Sequence, residues 1–311
     1  MRRHLRRLLP YLFVLAALVA AGWAVLRDRD RVLDTVGDLG WSAVAGSLVL
    51  GVVGTYATFL CWRAVLRGLG ATVGAGGSGA AVFFVTQLGK YLPGSVWPVV
   101  AQMEYGRRRG VGRATMLAAN ALTIAIGVAV GLGVAAATLP LSSPEVFARF
   151  WWALLALPLL LAVLHPRVLP WLLDTAMRRI GREPPGLALG WGTTLAACGW
   201  FLVSWLAYGV HVHLLLAGAG GSGWRLLLAS VGGFALASSA GLLAVPVPAG
   251  AGVREVVLLA TLAPAVGTPL AVAVTLGARV LLLVVDLLLA AGGAVARRVS
   301  DPSGARPSSS R

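Results

Sequence analysis

Apolar residues in this chain run almost unbroken for stretches of twenty or so positions, then stop at short arginine-rich intervals. A helix that is apolar all round is either deeply buried or in a membrane. About 20 such residues cross roughly 30 Å of hydrocarbon. The pattern predicts helices over 8–26, 41–66, 114–139, 147–164, 191–217, 224–245 and 269–296. Two shorter apolar pieces, 80–103 and 251–265, are interrupted by Pro and Gly. The expected fold class is an all-α polytopic membrane protein of about 7–8 transmembrane helices plus two Pro/Gly-broken re-entrant hairpins. It forms one transmembrane domain over 1–299, with a disordered tail at 300–311.

The charges orient these helices. Five groups of arginines punctuate the chain: Arg2, Arg3, Arg6 and Arg7; Arg63 and Arg67; Arg107, Arg108, Arg109 and Arg113; Arg167, Arg178, Arg179 and Arg182; Arg297, Arg298, Arg306 and Arg311. The excess of arginine in short loops puts all five on the cytoplasmic side, with both termini. The second and third groups flank 80–103, so that segment enters and leaves on one side. "YLPGSVWP" breaks it, because Pro93 and Pro98 lack an N–H and Gly94 permits a turn. Around Pro246 a second break lies between apolar arms, and 224–265 is either a second hairpin or a full span plus a short return. Trp41 to Trp191 is 150 residues and Pro93 to Pro248 is 155, a spacing that suggests an inverted repeat with halves of about 1–140 and 147–299. Segment 165–190 is too polar to span and carries one apolar stripe beside Arg178 and Arg179. It reads as an interfacial helix.

Composition adjusts the picture little. The chain is 58% hydrophobic and 12% charged, with a mean hydropathy of +0.85, which excludes an ordinary soluble domain. The formal charge of +15 follows the loop arginines and is not a nucleic-acid signal. The basic start "MRRHLRR" and the apolar run to Leu26 resemble a signal peptide, but with further spans following they read as an uncleaved first helix. Cys61 and Cys198 lie in apolar spans without metal or disulfide spacing. Low lysine with abundant Ala, Gly, Arg and Val fits a GC-rich bacterial genome, hence a bacterial plasma membrane.

Ionisable residues inside the membrane are few, and such residues mark function by default. Lys90, the one lysine, precedes the first break. Arg254 and Glu255 follow the second, Glu104 closes the first hairpin, and Arg279 and Asp286 share a face of the last helix seven residues apart. Lys90 and Arg254 suit an anionic headgroup, as a point charge and a bidentate fork. Internal pairs are the alternative, Lys90 with Glu104 or Arg254 with Glu255, and Glu255 is expected to orient Arg254. Gln87, Tyr91, Ser95 and Trp97 are candidates to line a polar path around Lys90. Asn120 and Thr123 are expected to bind helix to helix. His211 and His213, two apart, point to different faces and give no metal site. There is no Ser/His/Asp set, zinc-protease motif, phosphate loop or catalytic carboxylate pair, so neither metal nor cofactor is expected.

Two stretches resemble a known family. "GKYLPGSVWPVVAQMEYGRRRGV", Gly89 to Val111, is similar to the G-[RK]-Y-[IL]-P-G-x-[VF]-W signature of the lysylphosphatidylglycerol synthase transmembrane-region family. "PVPAGAGVREVVLLATL", Pro246 to Leu262, is similar to its P-x-P-G-G-x-G-x-[RT]-E element, and Arg279 stands where a last-helix arginine is expected. The resemblance covers residues 5–300. It implies roles for Lys90, Pro93, Gly94, Trp97, Gly250, Gly252, Arg254, Glu255 and Arg279. Ala249 and Ala251 replace glycines of the commonest pattern, and Asp286 is not something the motif implies. The family includes lipid flippase domains that move aminoacylated phosphatidylglycerol, and stand-alone proteins, some associated with polyprenyl-linked sugars. With no soluble domain to use aminoacyl-tRNA, this chain is not expected to synthesise the lipid. The expectation is a flippase or headgroup carrier for an anionic phospholipid or polyprenyl phosphate. Candidate binding residues are Lys90, Tyr91, Pro93, Gly94, Ser95, Trp97, Gly250, Gly252, Arg254, Glu255 and Arg279, with Glu104 and Asp286 for ion coupling. The alternatives are a membrane transferase on lipid-linked substrates, or an accessory subunit that docks an envelope-biosynthesis enzyme through its basic loops.

Overall fold

The computed structural model describes residues 40–72, 77–91, 97–143, 148, 151, 155–179, 189–243 and 252–300. The expected first helix at 8–26, the tips of both breaks at 92–96 and 244–251, and the tail from 301 lie outside the described residues. The elements are α1 (Trp41–Gly68), α2 (Gly77–Gln87) with a 3-10 turn (Leu88–Tyr91), α3 (Trp97–Arg107), α4 (Arg113–Ser142), α5 (Ala156–Val163), α6 (Val168–Arg179), α7 (Trp191–Gly218), α8 (Trp224–Leu243), α9 (Val253–Val266) and α10 (Thr268–Ser300). No strand occurs among the described residues. Among the described residues, five helices are long and apolar enough to cross a membrane: α1, α4, α7, α8 and α10 as far as Val295. The helix expected over 147–164 is described as an α-helix only from Ala156 to Val163. The polar stretch that follows does form a helix, α6, with Arg178 and Arg179 in its last turn.

α1 and α7 are each 28 residues long and pack along their length. They run antiparallel. Ser47 Oγ lies 2.6 Å from His211 Nδ1, Thr55 Oγ1 lies 2.9 Å from Tyr208 Oη, and Thr58 Oγ1 lies 3.1 Å from Ser204 Oγ. As one helix ascends its partner descends. This polar seam is buried and self-satisfied at those pairs, which is how polar side chains bind helices where no water competes.

Much of the remaining packing comes in matched pairs. α4 packs on α8 and α10 on α2; α2 on α3 and α8 on α9; α3 on α4 and α9 on α10; α4 on α7 and α10 on α1. Exchanging α1–α4 for α7–α10 leaves this set unchanged. α2 and α3, each 11 residues, rise only about 16 Å at 1.5 Å per residue, half a hydrocarbon core. They are tied by Gln102, whose amide donates to Thr86 Oγ1 at 3.1 Å.

Small residues allow the close approaches. A Cβ on Gly209 of α7 would stand 2.4 Å from Val231 Cα on α8, whereas one on Gly199 would meet nothing within 4 Å. Gly209→Val should therefore destabilise the protein by roughly 1–3 kcal/mol or more through overpacking and lower its thermal midpoint in detergent. Gly199→Ala should hold or raise it, since alanine is the better helix former. Equal effects in differential scanning fluorimetry would contradict the packing described.

Candidate functional site

The site is organised by one face of α10. Thr275, Arg279 and Asp286 are spaced four and seven apart, so they fall on one stripe. Each charged member reaches a different element. α9 folds back onto α10 through Gly267, which has φ +80°, a region glycine enters freely. That hairpin sets Glu255 beside Arg279, and Arg279 Nη1 donates to Glu255 Oε1. The other carboxylate oxygen, Oε2, accepts the Gly252 N–H at 2.5 Å. Gly252, at φ +85°, is the residue before α9, so Glu255 caps that helix from its first turn. Glu255 is thus held from two sides.

Asp286 gathers the first break in the same way. The 3-10 turn after α2 presents Lys90 and Tyr91 to α10. Lys90 Nζ lies 2.6 Å from Asp286 Oδ2, and Tyr91 Oη donates to the same oxygen at 2.5 Å. Asp286 is 5% exposed and Lys90 35%, so one partner is buried and the other reaches an opening. Charge-assisted bonds of this kind are about twice as strong as neutral ones.

Arg254 is different. Its guanidinium carbon lies 4.5 Å from the centroid of the Phe234 ring on α8, and no carboxylate among the described residues stands at ion-pair distance. It interacts through space with Glu255, Tyr208, Tyr91 and Arg279. A small recess of about 10 Å³, room for about one water molecule, is lined by Phe234, Arg254, Glu255, Leu258, Thr275, Ala278 and Arg279. Three cations and two carboxylates meet around α10, a formal excess of one positive charge carried by Arg254.

Among the predicted residues, Lys90, Tyr91, Arg254, Glu255, Arg279 and Asp286 are linked directly to one another or to the recess. Gly252 shapes the second arm. Trp97 begins α3 and is exposed. Pro93, Gly94, Ser95 and Gly250 lie outside the described residues. Several expectations are corrected. Lys90 pairs with Asp286 and not with Glu104. Glu255 binds Arg279, so it does not orient Arg254 through a direct bond. Asn120 and Thr123 bond back to the carbonyls of Met116 and Ala119 within α4, so they do not link helices. His211 belongs to the Ser47 seam. Glu104 lies among Arg107, Arg108 and Arg113 on an exposed surface. Hydrogen bonds from Arg107, reinforced by Arg108, hold its carboxyl down at about 2. Sequence reasoning missed Phe234, Tyr208 and Thr275. Each is an unremarked residue in an apolar helix, and only the fold brings it to the site.

No family model matches the chain, and no curated protein matches it.

Asp286→Asn should destabilise the protein by about 1–3 kcal/mol. That is below the cost of orphaning a fully buried charge, because Lys90 is partly solvated. Adding Lys90→Met should recover part of the loss, and strictly additive midpoints in a double-mutant cycle would show that the pair is uncoupled. Glu104 gives a pH prediction. Its folded value lies below the ordinary 4.5, so its contribution is complete above about 4.5 and is lost as pH falls through about 2. The midpoint gap between wild type and Glu104→Gln should be constant from pH 7 to about 4.5 and close toward pH 2. A gap independent of pH would contradict the ion cluster.

Proposed function

We propose that this protein is an integral membrane lipid flippase or headgroup carrier that binds an anionic phospholipid or polyprenyl-linked phosphate at the α10 site. The observation that carries the reading is Arg254. It is a partly buried cation in an apolar bundle, with no carboxylate at bonding distance among the described residues, beside a small recess. Burying such a charge is costly unless it is paired, so its missing partner is the bound anion. The cation–π contact with Phe234 holds the guanidinium but leaves its forked N–H groups for a phosphate.

The similarity of the two Pro/Gly motifs to the lysylphosphatidylglycerol synthase transmembrane region supports the same reading. So does the arrangement of the helices. We read the antiparallel α1–α7 pair and the matched packing of α1–α4 and α7–α10 as an inverted repeat. In that reading α2–α3 and α8–α9 carry the broken hairpins, the first helix at 8–26 brings the span count toward the expected 7–8, and the termini are cytoplasmic in a bacterial plasma membrane. Transporter sites sit at such repeat interfaces, near the midplane. The halves rock about the α1–α7 seam while the anion is exchanged between Lys90, Arg254 and Arg279. Asp286, which competes for Lys90, is the candidate for ion coupling.

A transferase reading needs a free carboxylate as base. Glu255 and Asp286 each already accept two hydrogen bonds or ion-pair contacts, which favours binding over proton abstraction. An accessory subunit would depend on the exposed basic cluster around Glu104 and not on Arg254.

The test is lipid translocation in proteoliposomes with fluorescent phosphatidylglycerol and a polyprenyl phosphate. Arg254→Ala should reduce the initial rate about ten-fold or more, given 1.5–3 kcal/mol for a charged hydrogen bond. Arg254→Lys should retain part of it. Undiminished transport by folded Arg254→Ala would remove the site, and no transport of either lipid would count against the class.

A further inference from the structure

We propose that the Thr275 hydroxyl is a direct ligand of the bound anion, donating to a phosphate oxygen in the recess it shares with Arg254 and Arg279. The inference rests on the anion-binding reading above and names a further ligand within it.

A hydroxyl inside a membrane helix ordinarily bonds to a carbonyl three or four residues earlier. This protein does so repeatedly: Thr55 to Gly51, Thr58 to Gly54, Thr123 to Ala119, Thr138 to Val134, Ser230 to Leu226 and Thr261 to Leu258. Thr275 lies mid-helix in α10 with its hydroxyl unbonded, although the residue is only 5% exposed. Buried polar groups without partners are rare and call for a reason. Of the buried helical serines and threonines described, Ser238 and Ser239 are also unpartnered, but only Thr275 is on the wall of the Arg254 recess. It stands one turn before Arg279 on the same face. The recess therefore offers a neutral donor beside two arginines, one of which is partly committed to Glu255.

Each anionic oxygen of a phosphodiester accepts more than one hydrogen bond, so the hydroxyl adds a donor without displacing either guanidinium group.

The experiment measures binding to the detergent-solubilised full chain by isothermal titration, with dioctanoyl phosphatidylglycerol, inorganic phosphate and decanoate as probes. Wild type, Thr275→Val, Thr275→Ser and Arg254→Ala are compared, with ligand-free thermal midpoints for each. Thr275→Val keeps shape and removes the hydroxyl. It should weaken phosphatidylglycerol about ten-fold or more, weaken decanoate as well, and hold or raise the ligand-free midpoint, because an unpartnered buried hydroxyl has gone. Thr275→Ser should bind like wild type. Phosphatidylglycerol binding without inorganic phosphate binding assigns the anion to a headgroup, and equal binding assigns it to phosphate in general; the Thr275 effect is expected in either. Unaltered affinity in Thr275→Val, with loss in Arg254→Ala, would overturn the Thr275 role and keep the site. A lowered midpoint with unaltered affinity would make Thr275 structural. Equal affinity in wild type and Arg254→Ala would remove both.

Discussion

An ionisable group in an apolar helix bundle must find an opposite charge or leave the bundle, and the site of this protein is a consequence of that constraint. α10 carries Arg279 and Asp286 on one face, and neither is tolerable alone at that depth. Each is answered from beside one of the two breaks. Asp286 draws in the 3-10 turn bearing Lys90 and Tyr91, and Arg279 draws in the first turn of α9 through Glu255. The two Pro/Gly breaks, about 155 residues apart in the chain, are thereby fastened to a single helix.

Because the carboxylates are spent on those fastenings, the second break's arginine is left over. Arg254 leans on Phe234 and faces a recess that Thr275 also lines. One uncompensated cation is a small quantity. In low dielectric it is also a strong and specific preference for a single negative charge. The same economy explains why Glu104 is separate from the site: among exposed arginines its carboxyl is solvated and paired, and nothing in the bundle depends on it.

The long helices were legible in the sequence because they rest on one property, unbroken apolar length. The observed α1, α4, α7, α8 and α10 begin and end within a few residues of the apolar runs, and the breaks were legible because Pro and Gly announce them. The identities of the ionisable site residues were legible too, since charges are rare there. Their partners were not. Tyr91 and Asp286 are 195 residues apart, and the heptad spacing of Arg279 and Asp286 gave a shared face without saying what would meet it. Glu255 beside Arg254 in sequence invited a local pair, yet successive helical residues point apart, and the Gly267 turn delivered Arg279 instead. Phe234 and Thr275 carry no signal in a chain this apolar.

The most direct measurement is an electron cryomicroscopy map of the full chain in nanodiscs of phosphatidylglycerol, beside one in phosphatidylcholine. The account predicts headgroup density in contact with Arg254, Arg279 and Thr275 in the first map, with Lys90 on Asp286 or shifted toward the ligand. Arg254 closed onto Glu255, with an empty recess in both maps and lipid confined to the outer surface, would contradict it.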